Sequence, residues 1–298
     1  MKAIDLFAGC GGFSTGARMA GVNVVWAANH WPAAVQTHQE NHPETDHACQ
    51  DLQQADWASV PAHDVLLASP ACQGHSRARG VDRPHHDACR STAWAVVSCA
   101  EYHRPAFVVV ENVPEFLKWT LFPAWESAMR SLGYALAPRI FDAADHGVPQ
   151  HRRRVFVVCA LGKRVPELKF ATRKHISAET ILEAGGKWSS IYDKAEATKA
   201  RIENGRKQHG SRFLIAYYGN EKGGRSLGRP IGTVTTRDRY ALVDGDKMRM
   251  LTVTEYRRAM GFPEDYQLPA SSTLAKHMLG NAVCPPVARD LLLQLKAA

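Results

Sequence analysis

Paired cysteines are missing from this sequence. None of its seven cysteines lies in a C-x-x-C pair, and their number is odd, which argues against a disulfide framework and against a zinc site built on cysteine pairs. The fourteen histidines are scattered, and neither His85-His86 nor His146 with His151 forms a helical ligand pair with an obvious third ligand. We therefore expect no metal.

Long hydrophobic runs, internal repeats and low-complexity tracts are also missing. No apolar stretch approaches the length of a membrane span, and the N-terminus does not have the pattern of a signal peptide. We expect a cytoplasmic protein that contacts no membrane. Lysine and arginine exceed aspartate and glutamate by 8, and the pI is about 9.2. This excess favours a polyanionic partner, although a soluble protein that is merely basic would show it too.

Strands and helices alternate through the first half of the chain. Nearly continuous apolar strands, such as HDVLLAS and AFVVVENV, are separated by helical segments, which predicts an α/β fold with a parallel sheet covered on both faces. After about residue 163 the sequence becomes more polar and rich in lysine, arginine and glycine. We therefore predict a first domain over residues 1–163 plus 272–298, and a second, smaller and basic domain over residues 164–271.

A glycine-rich turn, DLFAGCGG, follows the first strand and opens the first helix. Gly9, Gly11 and Gly12 allow a sharp turn and the close approach of a ligand, and the N-terminus of the following helix favours electron-rich groups. We interpret the turn as a site for a nucleotide-like ligand. It matches neither a P-loop nor the dinucleotide fingerprint, whose third glycine is replaced by Ser14. A purely structural turn would look the same.

Polar residues follow the next two strands. Asn29 ends the second strand, where nucleotide-binding folds of this kind usually place an acid for the ribose hydroxyls. Asparagine can accept a hydrogen bond there without carrying charge. Asp51, in CQDL, is a further candidate at a strand end, with a simple loop cap as the alternative.

A single thiol follows a buried strand in LLASPACQGHSRARG. Cys72 lies just past the strand, and His75, Arg77 and Arg79 follow closely. Nearby positive charge lowers the pKa of a thiol and favours the nucleophilic thiolate. We interpret Cys72 as a candidate nucleophile, with an inert buried cysteine as the alternative.

An acid and a run of arginines complete the set. Glu111 ends the strand VVVENV, where burial would raise the pKa of its carboxyl and let it hold a proton at neutral pH. The alternative is a glutamate that caps the next turn. Gln150, Arg152 and Arg154 alternate in PQHRRRVFVV, and a period of two predicts that they share one face of a strand. A solvated basic edge is the alternative.

Together, and in this order, these segments resemble the DNA cytosine-5 methyltransferase family of bacterial or phage type. The matching segments are DLFAGCGGFSTG, PACQGHS, ENV, GVPQHRRRVFVV, LTVTEYRRAMGFPEDY and LGNAVCPPVA. The resemblance covers essentially the whole chain outside about residues 164–230. It implies a Rossmann-like fold that uses S-adenosylmethionine, with residues 164–271 as a small, mixed target-recognition domain and the rest as the catalytic and cofactor-binding domain.

The resemblance also implies a reaction, in which a methyl group moves from S-adenosylmethionine to C5 of a cytosine flipped out of double-stranded DNA. Cys72 would add to C6 of the ring and Glu111 would engage N3. Arg154 would hold the base carbonyl, and Arg152 would support the pocket. A cognate restriction endonuclease acting on the same site is the protein partner that such an enzyme can have, and we expect a monomer.

Contacts to cofactor and DNA follow from the same resemblance. Phe7 would pack on adenine, Asp51 would meet the adenine amino group, and Asn281 would close the cofactor site. The full expected cofactor set is Phe7, Ala8, Gly9, Cys10, Gly11, Gly12, Asn29, His30, Asp51, Leu52, Pro70, Ala93, Asn281, Ala282 and Val283. The expected DNA contacts are Gln73, Ser76, Arg77, Arg79, Gln150, Arg225, Arg229, Arg237 and Arg239. Residues 73–90 would close over the DNA, with phosphate contacts supplying salt-dependent affinity.

Three positions depart from the family pattern. Asn29 stands where glutamate is usual, Ala71 stands where proline precedes the nucleophile, and Ala93 stands where a bulky aliphatic residue is usual. Losing the ribose acid would weaken cofactor binding by about 1–3 kcal/mol, unless neighbouring residues offset the loss. The alternative is a pocket for a modified S-adenosylmethionine with a larger or anionic group, such as carboxymethyl.

Two other classes stay open. A tRNA cytosine methyltransferase shares this fold, but its characteristic Cys-Phe-Thr element does not occur in this sequence. A catalytically inactive DNA-binding relative is the other, although Cys72, Glu111 and both motif arginines are present.

Overall fold

The computed structural model describes residues 1–71, 92–162, 164–217 and 221–298. Its strands are β1 (Lys2–Leu6), β2 (Asn23–Asn29), β3 (Asp46–Cys49), β4 (Val65–Ala68), β5 (Phe107–Asn112), β6 (Tyr134–Asp142), β7 (Arg153–Leu161), β8 (Ser189–Ser190), β9 (Arg212–Ala216), β10 (Gly224–Arg225), β11 (Tyr240–Asp244) and β12 (Lys247–Met250). Its α-helices are α1 (Gly12–Met19), α2 (Pro32–Asn41), α3 (Ala93–His103), α4 (Phe122–Ser131), α5 (Glu196–His209), α6 (Val253–Met260), α7 (Ser272–Asn281) and α8 (Pro285–Lys296).

The larger sheet has the strand order β3-β2-β1-β4-β5-β7-β6. Strands β3, β2, β1, β4 and β5 run parallel. The chain leaves β1 on one side to form β2 and later returns on the other side as β4. The carboxyl ends of β1 and β4 therefore flank the topological switch point, which is where ligands bind in open α/β sheets.

One edge of this sheet differs from the predicted parallel arrangement. Strand β7 is antiparallel to both β5 and β6. Only residues 143–152 connect β6 to β7, and a parallel connection needs a crossover of about a dozen residues or more. The apolar pattern of β7 carries no information about strand direction, so the reversal is visible only in the structure.

Apolar side chains fill the space between the larger sheet and its helices. Ile4 and Leu6 of β1 share one buried cluster with Val108 and Val110 of β5 and with Trp125 of α4. On the other side of the sheet, α1 packs along α8. Helices α4 and α8 each begin with proline in the first turn, where its missing N–H costs nothing.

The second sheet is antiparallel, with the order β10-β9-β11-β12-β8. Its core contains Phe213, Ile215, Val243 and Met248. Helix α5 approaches this sheet closely at Gly205, where an added Cβ would lie 2.2 Å from the ring of Phe213. The glycine thus permits a helix with few apolar residues to cover the sheet.

The chain divides into two compact units. The first contains Met1–Asp142, Arg153–Thr172 and Ala282–Ala298, and the second contains Ala143–Arg152 and Arg173–Asn281. The second unit therefore includes residues 143–152 and α7, which the predicted boundaries place in the first domain. The β6–β7 connection joins the second unit because Gln150 forms a β-bridge with Ile231. Among the described residues, no helix is long and apolar enough to cross a membrane.

Candidate active site

The glycine-rich turn leaves β1 through a series of left-handed backbone conformations. Gly9 and Gly11 have φ angles of 55° and 84°, and Phe7 has a φ of 60° although it carries a side chain. A non-glycine residue in this region is strained, and such strain is found mostly at functional sites. The Ala8 N–H donates to the Ala28 carbonyl at 3.1 Å, which ties the turn to β2.

The C-terminal motif packs directly on this turn. A Cβ added to Gly12 would lie 2.2 Å from the carbonyl oxygen of Val283, and one added to Gly16 would lie 2.6 Å from the carbonyl oxygen of Pro285. Both glycines are therefore needed for close contact with the segment that begins α8. Gly12 and Val283, both expected at the cofactor, pack against each other here. Cys10 is buried, and burial raises the pKa of its thiol to about 12.

The ends of β2 and β3 carry the predicted ribose and adenine contacts. Asn29 is buried, and its Oδ1 accepts a hydrogen bond from the Trp31 N–H at 3.0 Å. Asp51 is exposed, and its Oδ1 accepts from the Gln53 N–H at 3.0 Å. Asp51 therefore caps the short turn after β3, and its carboxylate stays open to solvent. His30 is exposed beside Asn29, whereas Leu52 is buried in the core.

The segment after β4 is fixed by two hydrogen bonds. The Asn112 Nδ2 donates to the Pro70 carbonyl at 3.0 Å, and the Ala71 N–H donates to the Thr92 Oγ1 at 3.1 Å. Pro70 is buried. The chain is therefore held in place immediately before Cys72. Ala93 is buried in the core at the start of α3, and its carbonyl accepts from the Trp125 indole N–H at 3.0 Å.

An ion pair between a buried carboxylate and a mostly buried guanidinium lies at the end of β5. The Arg154 Nε is 3.2 Å from the Glu111 Oε1, and the two side chains expose only 17% and 8% of their surfaces. They meet because β5 and β7 are neighbours, with Glu111 opposite Phe156 in the antiparallel register. The Arg154 Nη1 also donates to the Arg153 carbonyl at 2.8 Å. The structure thus brings together two of the predicted catalytic side chains.

Several predicted residues lie outside the described part of the chain. They are Cys72, Gln73, Ser76, Arg77 and Arg79. Cys72 follows directly on Ala71, the last described residue before this gap.

Gln150 and Arg152 do not share a strand face with Arg154, because β7 begins only at Arg153. Both side chains are buried in the second unit. Arg152 donates to the carbonyls of Val234 and Gly280, each at 2.9 Å, which fits a supporting role. Gln150 was expected to contact DNA, but its side chain is completely buried and bonded within the protein. No part of this side chain is on the surface for a DNA contact.

The four arginines predicted to contact DNA from the second unit differ in their surroundings. Arg225 pairs with Glu221 at 2.6 Å, and Arg239 donates to the Tyr217 carbonyl at 2.7 Å. Arg229 and Arg237 are exposed. These two are therefore the most exposed of the four, since Arg225 and Arg239 are only partly exposed.

Asn281, expected at the cofactor, ends α7 and belongs to the second unit. It is exposed, with its Nδ2 3.4 Å from the His277 Nε2. Ala282 is buried and belongs to the first unit. The C-terminal motif thus passes from one unit to the other between these two residues.

The profile of the family described as C-5 cytosine-specific DNA methylase matches residues 1–297 of this chain. The chain belongs to that family. The Type II methyltransferase M.NlaX of Neisseria lactamica is 30% identical, and the alignment covers 100% of this chain and 96% of that protein. The Type II methyltransferase M.HgiDI of Herpetosiphon aurantiacus is 28% identical, with coverages of 100% and 94%.

Solved structures share the fold of this methylase. The S. pombe Dnmt2 methyltransferase superposes with a TM-score of 0.70 at 17% identity, covering 100% of this chain and 98% of that one. The Entamoeba histolytica methyltransferase EhMeth has a TM-score of 0.71 at 16% identity, with the same coverages. The predicted α/β fold of S-adenosylmethionine-dependent methyltransferases is thereby confirmed.

Two side chains that hold the segment before Cys72 in this methylase were not among the predicted site residues. Asn112 is the second residue of ENV, and its bond to Pro70 links the end of β5 to the segment before Cys72. Thr92 holds Ala71 from the other side. The motif ENV offered a signal for Asn112, since a buried amide at a strand end needs partners. No sequence signal pointed to Thr92.

A chain of hydrogen-bonded polar side chains connects β1, α1, α2 and β3 of this methylase, and all of its members except the half-buried His47 are buried. The Ser14 hydroxyl donates to the Asp5 Oδ2 at 2.7 Å and lies 2.9 Å from the His38 Nε2, while the His38 Nδ1 is 2.7 Å from the His47 Nε2. Since Ser14 has one proton and donates it, it accepts from His38, whose Nδ1 then accepts from His47. Burial raises the pKa of Asp5 to about 7 and lowers the pKa of His38.

Proposed function

We propose that this protein methylates C5 of cytosine in double-stranded DNA, using S-adenosylmethionine and a covalent adduct between Cys72 and C6 of the base. The observation that carries the proposal is the ion pair between the buried Glu111 and the mostly buried Arg154 at the end of β5. It lies in the same unit as the segment that leads into Cys72. Membership of the cytosine C-5 methylase family supports the assignment of base, position and nucleic acid.

The residues around the switch point fit S-adenosylmethionine. Gly9 and Gly11 of the strained turn carry no side chain, so a ligand can approach the backbone closely after the carboxyl end of β1. Asp51 offers an exposed carboxylate, which is a hydrogen-bond acceptor of the kind that an adenine amino group requires. Phe7 offers a half-buried ring for an aromatic base. When bound, the cofactor supplies an electrophilic methyl group.

The side chains of this chain would act on the cytosine ring. C5 is a poor nucleophile until a thiolate adds to C6, and addition of the Cys72 Sγ supplies the electrons that make C5 reactive. In this proposal the electron pair of the ring moves toward N3 as the thiolate adds, and Glu111 donates the proton that N3 takes up. The Arg154 guanidinium fixes the Glu111 carboxyl and, with its remaining N–H groups, would bind the base carbonyl. After methylation, loss of the C5 proton to solvent re-forms the C5–C6 double bond and expels the Cys72 Sγ as a thiolate. The proton on N3 returns to Glu111, which restores the aromatic ring and the acid.

The basic side chains supply the DNA affinity in this proposal. Arg229 and Arg237 are the exposed candidates of the second unit, and the segment of residues 73–90 adds Arg77 and Arg79. Contacts to phosphates position the duplex, and contacts to base edges determine the target sequence. As in Type II systems, a cognate restriction endonuclease would share that target sequence. We propose that the methyltransferase itself acts as a monomer.

Product analysis tests the proposal. The chain is expressed in a host that lacks cytosine C5 methylation, and the genomic nucleosides and the tRNA are analysed by mass spectrometry. We expect 5-methylcytosine in DNA, its absence with Cys72→Ala, and a strong reduction with Glu111→Gln. Product that survives Cys72→Ala would refute the covalent mechanism, and modification confined to tRNA would refute the DNA assignment. Carboxymethylcytosine would identify the carboxylated cofactor, and 5-methylcytosine alone would exclude it.

A further inference from the structure

Gln150 bonds with both polar ends of its side-chain amide inside the second unit. Its Oε1 accepts from the Val234 N–H at 2.8 Å, and its Nε2 donates to the Ala259 carbonyl at 2.9 Å. Gln150, Val234 and Ala259 are all completely buried. The Gln150 Nε2 also donates to the Met260 Sδ at 3.1 Å. A neutral amide suits this position because it supplies two N–H donors and a carbonyl acceptor without a buried charge. The side chain thereby links α6 to the segment of residues 231–239, called here the anchored segment.

The main chain around Gln150 bonds to the same segment. The Ile231 N–H donates to the Pro149 carbonyl at 2.9 Å, and the His151 N–H donates to the Ile231 carbonyl at 2.8 Å. The Thr233 Oγ1 donates to the His151 carbonyl at 2.8 Å. The first half of the anchored segment is thus attached along its length to the residues on either side of Gln150.

The second half of the anchored segment is held by α6 and α7. The Tyr256 hydroxyl donates to the Asp238 Oδ1 at 3.0 Å, and the Lys276 ammonium forms an ion pair with the same carboxylate. Gly280 of α7 lies so close that an added Cβ would be 2.4 Å from the carbonyl of Thr235. The backbone of the segment therefore has little freedom to move away from its neighbours.

Arg237 is the exposed cationic side chain of this otherwise fixed segment. Within the anchored segment, the other arginine, Arg239, donates to the Tyr217 carbonyl and is only partly exposed. A guanidinium on a rigid backbone loses less conformational freedom when it binds, so it contributes more to affinity than one on a mobile loop. The direction of the Arg237 side chain then depends on the groups that hold the anchored segment in place.

We propose that Gln150 is a positioning residue for DNA recognition, which fixes the anchored segment and thereby directs Arg237 toward the DNA. This inference rests on the proposed function, since it takes DNA as the ligand. It replaces the expected direct contact of Gln150 with an indirect one through Val234. The effect of Gln150 on DNA binding should therefore depend on the presence of Arg237.

A double-mutant cycle tests this dependence, with the DNA dissociation constant measured by fluorescence anisotropy on the full chain. Gln150→Met keeps the length of the side chain and removes its hydrogen bonds to Val234, Ala259 and Met260. We expect Arg237→Ala to weaken DNA binding by about tenfold in the parent and by about threefold or less in the Gln150→Met background. Gln208→Met on α5, an exposed glutamine, is the matched control, and there the tenfold effect should persist.

A second variant and a second ligand separate positioning from general damage. Thr233→Val removes one peripheral bond of the anchored segment, and it replaces Gln150→Met in the cycle if that variant does not fold. Affinity for S-adenosylmethionine should stay at the parent value in every variant, because every candidate cofactor residue except Asn281 lies in the first unit and no variant changes Asn281. Equal effects of Arg237→Ala in all backgrounds would overturn the inference. A parent that binds DNA but yields no 5-methylcytosine would instead refute the proposed function and leave the cycle interpretable.

Discussion

The contact between the glycine-rich turn and the C-terminal motif leads to a sharp prediction for Gly12→Ala. The added methyl group would lie 2.2 Å from the Val283 carbonyl oxygen and 2.9 Å from the Val283 nitrogen. Both are backbone atoms, so no side-chain rotation relieves the overlap. To reach even 3.0 Å, which is still short for such a contact, the two segments must separate by about 0.8 Å (3.0 minus 2.2).

Overpacking of this kind costs about 3 kcal/mol, or more where the backbone must move. That loss corresponds to a fall in the midpoint of thermal unfolding of about 6 °C or more. A shift of nearly 1 Å in the turn should also weaken S-adenosylmethionine binding by about tenfold or more, since small displacements of a site have large effects. Calorimetry measures both quantities on the same protein.

Gly185→Ala is the matched control for this substitution. An added Cβ at Gly185 meets no atom within 4 Å, and the residue has an ordinary φ angle. We expect no loss of stability there, because alanine also restricts the unfolded chain. The reasoning is wrong if Gly12→Ala and Gly185→Ala have the same unfolding midpoint and the same affinity for S-adenosylmethionine. The close packing of the two motifs would then not contribute to the stability of the fold.

Three further predictions concern buried polar groups. Asn112→Ala removes the donor to Pro70, and we expect kcat to fall by about tenfold with unchanged cofactor affinity; steady-state kinetics with an unchanged kcat would contradict this. Because burial raises the pKa of Asp5 to about 7, the folded parent holds a proton that the unfolded chain has lost, so its stability falls as pH rises from about 4 to about 7. In urea unfolding, the free energy of unfolding of Asp5→Asn relative to the parent should rise by about 1.4 kcal/mol per pH unit across that range. If this difference in free energy does not change with pH, the pKa of Asp5 does not lie near 7. Glu255→Gln removes the charge that the fully buried Arg249 pairs with at 2.6 Å, and it should cost about 3–5 kcal/mol of unfolding free energy; a cost below about 1 kcal/mol in the same assay would show that the pair is replaceable.

The sequence predicts those elements of this fold that have a clear apolar pattern or clear end signals. The strands β4 and β5 are continuous apolar runs, and α6 has a capping box and a glycine stop at Gly261. Helix α5 has no such signal, because only Ile202 and Gly205 of its residues are buried. Strand β6 contains Pro138 and is at most half-buried over most of its length, so alternation along it is weak. Both elements are stabilised by packing against neighbouring elements, not by a pattern in their own sequence.

The candidate site divides in the same way. Residues at strand ends, such as Glu111 and Asn29, were identifiable because parallel strands bring their carboxyl ends to one edge. The partners that hold the chain in place, such as Thr92 for Ala71, come from distant segments. Their hydroxyl and amide groups are too common in proteins for their positions to stand out in a sequence.

The arginine motif shows why a sequence period alone can misplace side chains. A period of two puts Gln150, Arg152 and Arg154 on one face only if all three lie in a strand, and β7 begins at Arg153. Before Arg153, hydrogen bonds determine where the side chains lie, because a buried guanidinium or amide requires hydrogen-bond partners. Arg152 finds carbonyls that are 82 and 128 residues away in the chain. Arg154 lies within the strand and pairs with Glu111. One short motif thus serves two purposes: the part before β7 holds the anchored segment, and the part inside β7 meets the acid.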